Sequence, residues 1–515
     1  MSISAKCADY LYPIVIGSVI GLCNVGGGGV VIGLTGLVAV WIFFSIVYFS
    51  YRRFRDEGSD DQESRLEEQL LKQDEENEQE KKKEEEEEEE EKEVISTVTR
   101  LDYLDNLKSF LTLLVVVHHC TGTFVGGKSW YYSVGSYLNS FQIFGGSLLL
   151  LNQSYFMCLF FFISGYFTPI SFKRKGRRRF LQERFKRLGI PFLLFFFGLG
   201  PLSIMFRDHV IMNRNVTYMP EPGPPWFLAW LLIFNSAYAF IGNDEASIQS
   251  RNKLHQSATA FVSSSVLILS ISGACIGLLQ AVQMIVAPAF VLMPITFGSL
   301  PFDYFFFAAG LVAKEQRWLE DVIPTFCEKK RIALRTISLL IVVGIVTLES
   351  VLYQTGGGYA LMPRNACDEK PNRGTTSDTW HEKDSTLHLV LFIIMGGIVT
   401  GIFCIIFSMV LLDFFRQNCN VKNSATIFFS STSYAVYLIH PPVILIFTYA
   451  WIKIMRSYDS DIDLTYFHDE NESSTCLNSE RNIWFGWIFV VMTTLSAVYP
   501  LGYVIKKLPI ARGII

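Results

Sequence analysis

The stretch LDNLKSFLTLLVVVHHC, residues 104–120, is apolar enough to sit in lipid, yet it opens with Asp105 and Lys108 and closes on two histidines. In hydrocarbon each of those polar groups is costly unless it faces other protein or a water-filled cavity. Composition decides which solvent applies. Half of the 515 residues are hydrophobic, 43 are phenylalanine and the mean hydropathy is +0.32. That is the composition of a membrane protein, not of a soluble core.

Asp105, Lys108, Thr112, Val115 and His119 follow one another in steps of three and four, so they share a helix face. At about 1.5 Å per residue, His119 lies about 22 Å beyond Leu104, past the middle of the hydrocarbon layer. A second segment, SSTSYAVYLIHPPVILIF (residues 430–447), places His440 about 21 Å from Thr426 by the same count. Pro441 and Pro442 remove backbone donors there and predict a kink. The two histidines either face one cavity or serve as packing groups hydrogen-bonded to neighbouring hydroxyls. Imidazole titrates near neutrality, which makes His119 and His440 the candidates for acid–base work. Neighbouring helical residues diverge by about 100°, so His118 points away from that face, and a metal site built from His118 and His119 is not expected. The chain carries no G-x-S-x-G, H-E-x-x-H or paired C-x-x-C pattern, and Gly26–Gly29 lies in an apolar run unsuited to a phosphate loop.

Around these segments the chain divides into three parts. Residues 1–55 hold one long apolar stretch closed by the basic stop YRRFR, read as an N-terminal anchor helix. Residues 56–99 form an acidic segment. Within it, residues 56–93 contain 21 acidic and 6 basic side chains, a net of −15 against −4 for the whole chain, so the remainder carries +11. With Leu66, Leu70 and Leu71 almost alone as apolar groups, this segment cannot offset its ordering entropy and reads as disordered or as a frayed, coiled-coil-like helix. A docking tail for a basic protein partner is the functional alternative. Residues 100–515 contain ten apolar segments centred near Leu113, Phe160, Phe196, Leu232, Leu269, Phe306, Val342, Gly397, Leu438 and Val490. The expected fold is therefore all-α and polytopic: a ten-span body behind one anchor.

Alternating these spans from a cytoplasmic Leu104 puts the basic loops inside, as the positive-inside rule requires. The N-x-S/T acceptors Asn152, Asn215 and Asn471 fall outside, as do Cys367 and Cys476, which are expected to pair there. The other cysteines read as packing residues. KRKGRRRFLQERFKR, residues 173–187, carries nine basic side chains and serves as a topology signal touching anionic lipid. Arg184 and Arg187, at the mouth of the third span, also suit phosphate recognition.

Taken in order, LDNLKSFLTLLVVVHHC, FFFISGYFTP (Ser164, Gly165, Tyr166), RFKRLGIPF (Arg184, Arg187, Pro191), PPWFLAWLL (Trp226, Phe227), FFAAGLVA (Gly310) and YAVYLIHPPV (Tyr437, His440, Pro441) resemble the acyltransferase 3 family of integral membrane O-acyltransferases. The resemblance spans about residues 100–507. Lys108 stands where the family more usually has arginine, which removes bidentate recognition at that point. The resemblance implies transfer of an acyl group from cytoplasmic acyl-CoA, a co-substrate with no bound cofactor, to a hydroxyl of a glycan or other carbohydrate on the far side of a secretory-pathway or plasma membrane. It implies His119 as general base or acyl carrier, Asp105 as the group orienting Lys108, and Lys108, Arg184 and Arg187 as donor-binding residues. His440 would act beside His119, with Tyr437 and Trp226 on the acceptor side. Besides membrane lipids, the partners are the two substrates; nothing points to nucleic acid. Two rival readings are a proton-coupled carrier or other transporter, against which no inverted repeat is seen, and a catalytically inactive membrane scaffold.

Overall fold

The computed structural model describes residues 101–125, 130–135, 140–241, 262, 265–286, 291–292, 295–296, 300–354, 382–458, 474–476, 480–509 and 511. The anchor, the acidic segment, Asn471 and Cys367 lie outside the described residues.

Hydrophobic runs of the length just counted fold as helices because a backbone in lipid can satisfy its own hydrogen bonds only within the helix. In chain order these are α1 (Asp102–Val125), α2 (Ser140–Arg184), α3 (Ile190–Leu194), α4 (Gly200–Phe206), α5 (Trp226–Ile241), α6 (Val266–Val286), α7 (Leu300–Glu315), α8 (Glu328–Gln354), α9 (Glu382–Asn418), α10 (Ser424–Tyr458) and α11 (Glu480–Lys507). Seven described helical stretches are long and apolar enough to cross a membrane, so the protein is a multi-pass helical membrane protein. Each of the ten expected centres lies on a helical residue. Two of them, Leu232 and Phe306, fall in helices with 16 described residues each. Two others, Phe160 and Phe196, fall in the single run Ser140–Ile211. Among the described residues, seven stretches and not ten have the length and composition of a crossing.

That long run is not one rod. Gly176 takes φ 67° and ψ 167°, breaking α2 within the basic stretch, a conformation open to glycine at little cost. Beyond it, π-helical turns at Phe185–Gly189, Phe195–Leu199 and Arg207–Ile211 alternate with α3 and α4. Pro201 in α4 cannot donate to the Phe197 carbonyl four residues earlier, and the Tyr218 hydroxyl donates to that oxygen at 2.9 Å.

Two helix pairs approach backbone to backbone through small residues. Gly165 of α2 meets Gly310 of α7, and Gly273 and Gly277 of α6 meet Gly397 and Gly401 of α9. Small residues at matched positions let helices pack closely without a hydrophobic drive. A third assembly joins α1 (Val116, Cys120, Phe124), α10 (Val436, Ile444, Trp451) and α11 (Ile483, Val490, Val498) in one buried cluster. At its edge strand β1 (Ser133–Gly135) pairs in parallel with β4 (Ser474–Cys476), Val134 opposite Thr475. A second small ladder joins β2 (Val291–Leu292) to β3 (Ile295–Thr296). Outward-facing apolar side chains such as Leu339, Leu340 and Val343 of α8 are more than half exposed, as lipid contact requires.

Two expectations change here. Asn152 is buried in α2, its Oδ1 accepting from Tyr155 at 3.2 Å, so it is no glycan acceptor; Asn215 is exposed on the connection before α5. Among the described cysteines Cys120, Cys158 and Cys404 are buried packing groups, whereas Cys275 and Cys327 are exposed. Pro441 and Pro442 lie inside α10, which is helical from Ser424 to Tyr458.

Gly277→Leu should separate α6 from α9, because a side chain there collides with the Gly397 carbonyl. The cost should be at least about 1–3 kcal/mol, read as a lower unfolding temperature in detergent. Gly344→Ala, where a Cβ meets nothing within 4 Å, should leave that temperature unchanged or raise it.

Candidate active site

The first turns of α1 are tied to the connection between α9 and α10. Asn420 Oδ1 accepts from the Tyr103 N–H at 3.2 Å, and Asn106 Nδ2 donates to the Cys419 and Val421 carbonyls at 2.6 and 2.8 Å. α1 and α10 therefore start at one level, and residues equally far along them meet. His119 and His440 do so: their ring centroids are 5.1 Å apart with planes 18° from parallel.

Trp130, which the sequence reading missed, lies against the same imidazole at 4.2 Å and 23°. It is 6.4 Å from His440. All three rings are nearly parallel, and Trp130 is the nearer of the two stacked on His119. His118 turns to α2 instead, its ring 5.2 Å from Phe156. His440 is fully buried; its Nδ1 is 2.7 Å from the Tyr437 carbonyl, and its Nε2 has no partner among the described residues.

A cavity of about 570 Å³ lies on the same helices. Lys108 and Thr112 of α1, Arg184 of α2, Arg187 from the first π-turn and Lys506 of α11 line it, with Ser430, Ser431, Ser433, Tyr434 and Tyr437 of α10. Apart from Ser164, the rest of the wall is apolar, including Phe160, Phe167, Phe227 and Leu231. No described carboxylate lines it. Arg184 stacks its guanidinium 4.9 Å from Phe180 and keeps a buried Nε without an acceptor. Lys108 Nζ pairs with Asp105 Oδ1 at 2.7 Å.

The position of Arg187 is set by backbone chemistry. Pro191 in α3 cannot donate to the Arg187 carbonyl four residues earlier, and the Tyr434 hydroxyl donates to it instead. Three residues on, the Tyr437 hydroxyl donates to the Pro224 carbonyl, binding α10 to the connection that precedes α5. Tyr437 thus borders the cavity and is one helical turn from His440.

The structure brings Lys108, Arg184 and Arg187 to one cavity and His119 and His440 to each other. Asp105 touches the cavity only through Lys108. Trp226 does not line it; the next residue, Phe227, does, with its ring 6.3 Å from Tyr437. Neither His119 nor His440 is in the lining, and on the expected stripe Thr112 is, whereas Val115 is buried. Sequence reasoning passed over Lys506, although a lysine ending the last apolar helix was a visible signal. It also passed over Trp130, for which an aromatic run just after the histidines was the only hint.

Beside Trp130, a polar group surrounds the connection before α5. The Tyr131 carbonyl accepts from Arg207 at 3.3 Å, and Glu221 accepts from the Gly223 N–H at 3.2 Å. Gly223 has φ 45°, and a Cβ there would strike the Tyr131 hydroxyl, so glycine is required twice over. Burial raises the Glu221 carboxyl and the Tyr131 hydroxyl above their ordinary ranges.

These features define a multi-pass membrane protein with a histidine pair beside a cationic cavity. The chain belongs to the acyltransferase 3 family: the model of that family, described as an acyltransferase domain, matches residues 101–501. No curated protein and no solved structure matches the chain.

Glu221 supplies a pH test. Its raised folded value means that the folded state holds the proton more tightly than the unfolded one, so its stabilising contribution is present at low pH and lost as pH rises. Glu221→Gln keeps the acceptor for Gly223 and never ionises. It should unfold at a higher temperature than wild type at about pH 7 and at nearly the same temperature at about pH 4.

Proposed function

We propose that the protein transfers an acyl group from acyl-CoA to a hydroxyl of a glycan or other carbohydrate, with the donor entering from the cytoplasm and the acceptor from the opposite side. The observation that carries this reading is the cavity with four cationic side chains, no described carboxylate in its wall, and a stretch of apolar wall from Met157, Phe160, Phe167, Phe227 and Leu231. A polyphosphate head with an uncharged arm matches that division. Lys108, Arg184, Arg187 and Lys506 would hold the phosphates, as point charges for the lysines and planar forks for the arginines. Ser430, Ser431 and Ser433 offer further donors.

His119 removes the proton of the acceptor hydroxyl as its oxygen attacks the thioester carbonyl. The new ester forms, the carbon–sulfur bond breaks, and the departing thiolate takes the proton back from His119. The alternative route has the acyl group pass first to a His119 nitrogen and then to the hydroxyl. In either route Trp130, on the face of the ring, favours the cationic imidazole by cation–π attraction. Asp105 holds Lys108, and His440, Tyr437 and Trp226 shape the acceptor side.

The same reading has ten passes in residues 100–515, an anchor in 1–55 and the acidic segment of 56–99 in the cytoplasm, in a secretory-pathway or plasma membrane. The alternation of basic loops and the exposed Asn215 support this arrangement.

Membranes containing the protein, incubated with labelled acetyl-, succinyl- or palmitoyl-CoA, should pass label into extractable glycans. Flux of a solute without acylation would favour a carrier instead, and neither activity would favour a scaffold. His119→Ala should insert normally and lose about 10²–10⁴-fold in transfer. Lys506→Ala should chiefly raise the apparent KM for acyl-CoA, because its contact is the same in ground and transition states.

A further inference from the structure

An imidazole beside a catalytic group acts according to which of its nitrogens carries the proton, and in α10 the backbone makes that choice. In an uninterrupted helix the Tyr437 carbonyl would accept from the N–H of residue 441. Residue 441 is proline, which has no N–H and whose ring crowds the carbonyl four residues earlier. The helix nevertheless continues to Tyr458, and a carbonyl freed within a membrane-spanning helix needs another donor. His440 Nδ1 lies 2.7 Å from it. A carbonyl oxygen only accepts, so that nitrogen must carry the hydrogen. Neutral imidazole carries one N–H, which leaves Nε2 as a bare acceptor. Nε2 is buried without a partner among the described residues, on a ring whose plane is 18° from that of His119.

We propose that Pro441 is a positioning residue: by freeing the Tyr437 carbonyl it locks His440 in the Nδ1–H form and presents Nε2 as a hydrogen-bond acceptor beside His119. A polyhydroxylated acceptor supplies what such a pair needs, one hydroxyl donating to His119 for reaction and a neighbouring one donating to His440 Nε2 for orientation. This role for Nε2 rests on the proposed acyl transfer; the lock itself does not.

The lock is tested without catalysis. Full-length protein labelled at the histidine ring nitrogens and reconstituted in lipid discs reports its tautomers through nitrogen chemical shifts, with His440 assigned by the signal lost in His440→Gln. Wild type should show His440 with Nδ1 protonated. Pro441→Ala restores the backbone donor and should move His440 toward a tautomer mixture, whereas Pro442→Ala, which affects the Leu438 carbonyl, and Tyr437→Phe, which keeps the Tyr437 carbonyl, should not. Finding Nε2 protonated in wild type, or the wild-type tautomer unchanged in Pro441→Ala, would overturn the proposal. The wild-type measurement decides even if a variant fails to fold. Where transfer is measurable, Pro441→Ala should lower kcat by at least about tenfold, a modest share of what a wrong tautomer costs a catalytic histidine, with KM for acyl-CoA unchanged. An unchanged kcat in that variant would remove the role given to Nε2, and absence of transfer in wild type would remove the acyltransferase reading while the tautomer result stands.

Discussion

A carbonyl oxygen in hydrocarbon has no water to turn to, and much of the candidate site follows from where this chain removes the usual helical donor. Pro191, Pro201 and Pro441 each withdraw an N–H from the carbonyl four residues before them. The three freed oxygens, on Arg187, Phe197 and Tyr437, are taken by the Tyr434 hydroxyl, the Tyr218 hydroxyl and His440 Nδ1. Two of those bonds stand at the candidate site. One ties the segment bearing Arg187 to α10, and the other fixes the ring beside His119. Helix interruptions that would be a simple loss elsewhere are here the points at which separate passes are joined.

Close packing of the passes depends on a complementary economy of side chains. Where α2 meets α7 and α6 meets α9, glycine removes the side chain so that backbones touch. Where α1, α10 and α11 meet, branched and aromatic side chains fill the space instead. The histidine pair lies on the α1 and α10 surfaces of this second, bulkier contact, while the cavity draws on α1, α2, α5, α10 and α11. Tyr437 is common to both regions, with its hydroxyl on Pro224 and its carbonyl on His440.

What could be read from the sequence was what can be counted along one helix. Equal depths for His119 and His440 came from residue counts on two separate segments, and the rings are neighbours because Asn106 and Asn420 set both helices to one starting level. Grouping Lys108 with Arg184 and Arg187 needed only that they share one end of their passes. Lys506 was harder, because which of the final lysines turns inward depends on how α11 is rotated against its neighbours. Choosing Phe227 over Trp226 depends in the same way on the rotation of α5. Trp130 was beyond such counting altogether: it precedes a strand, not a helix, and its place is set by pairing with residues near the other end of the chain. Gly165 and Gly310 were legible as motif positions, but that they touch one another is a fact of helix packing.

The β1–β4 ladder is only three residues long, yet it makes the cover on His119 a shared possession of two distant connections. Trp130 is three residues ahead of β1, and the strand that holds β1 belongs to the stretch between α10 and α11. The indole that stacks on the imidazole is thus three residues from a strand pairing made outside the transmembrane helices.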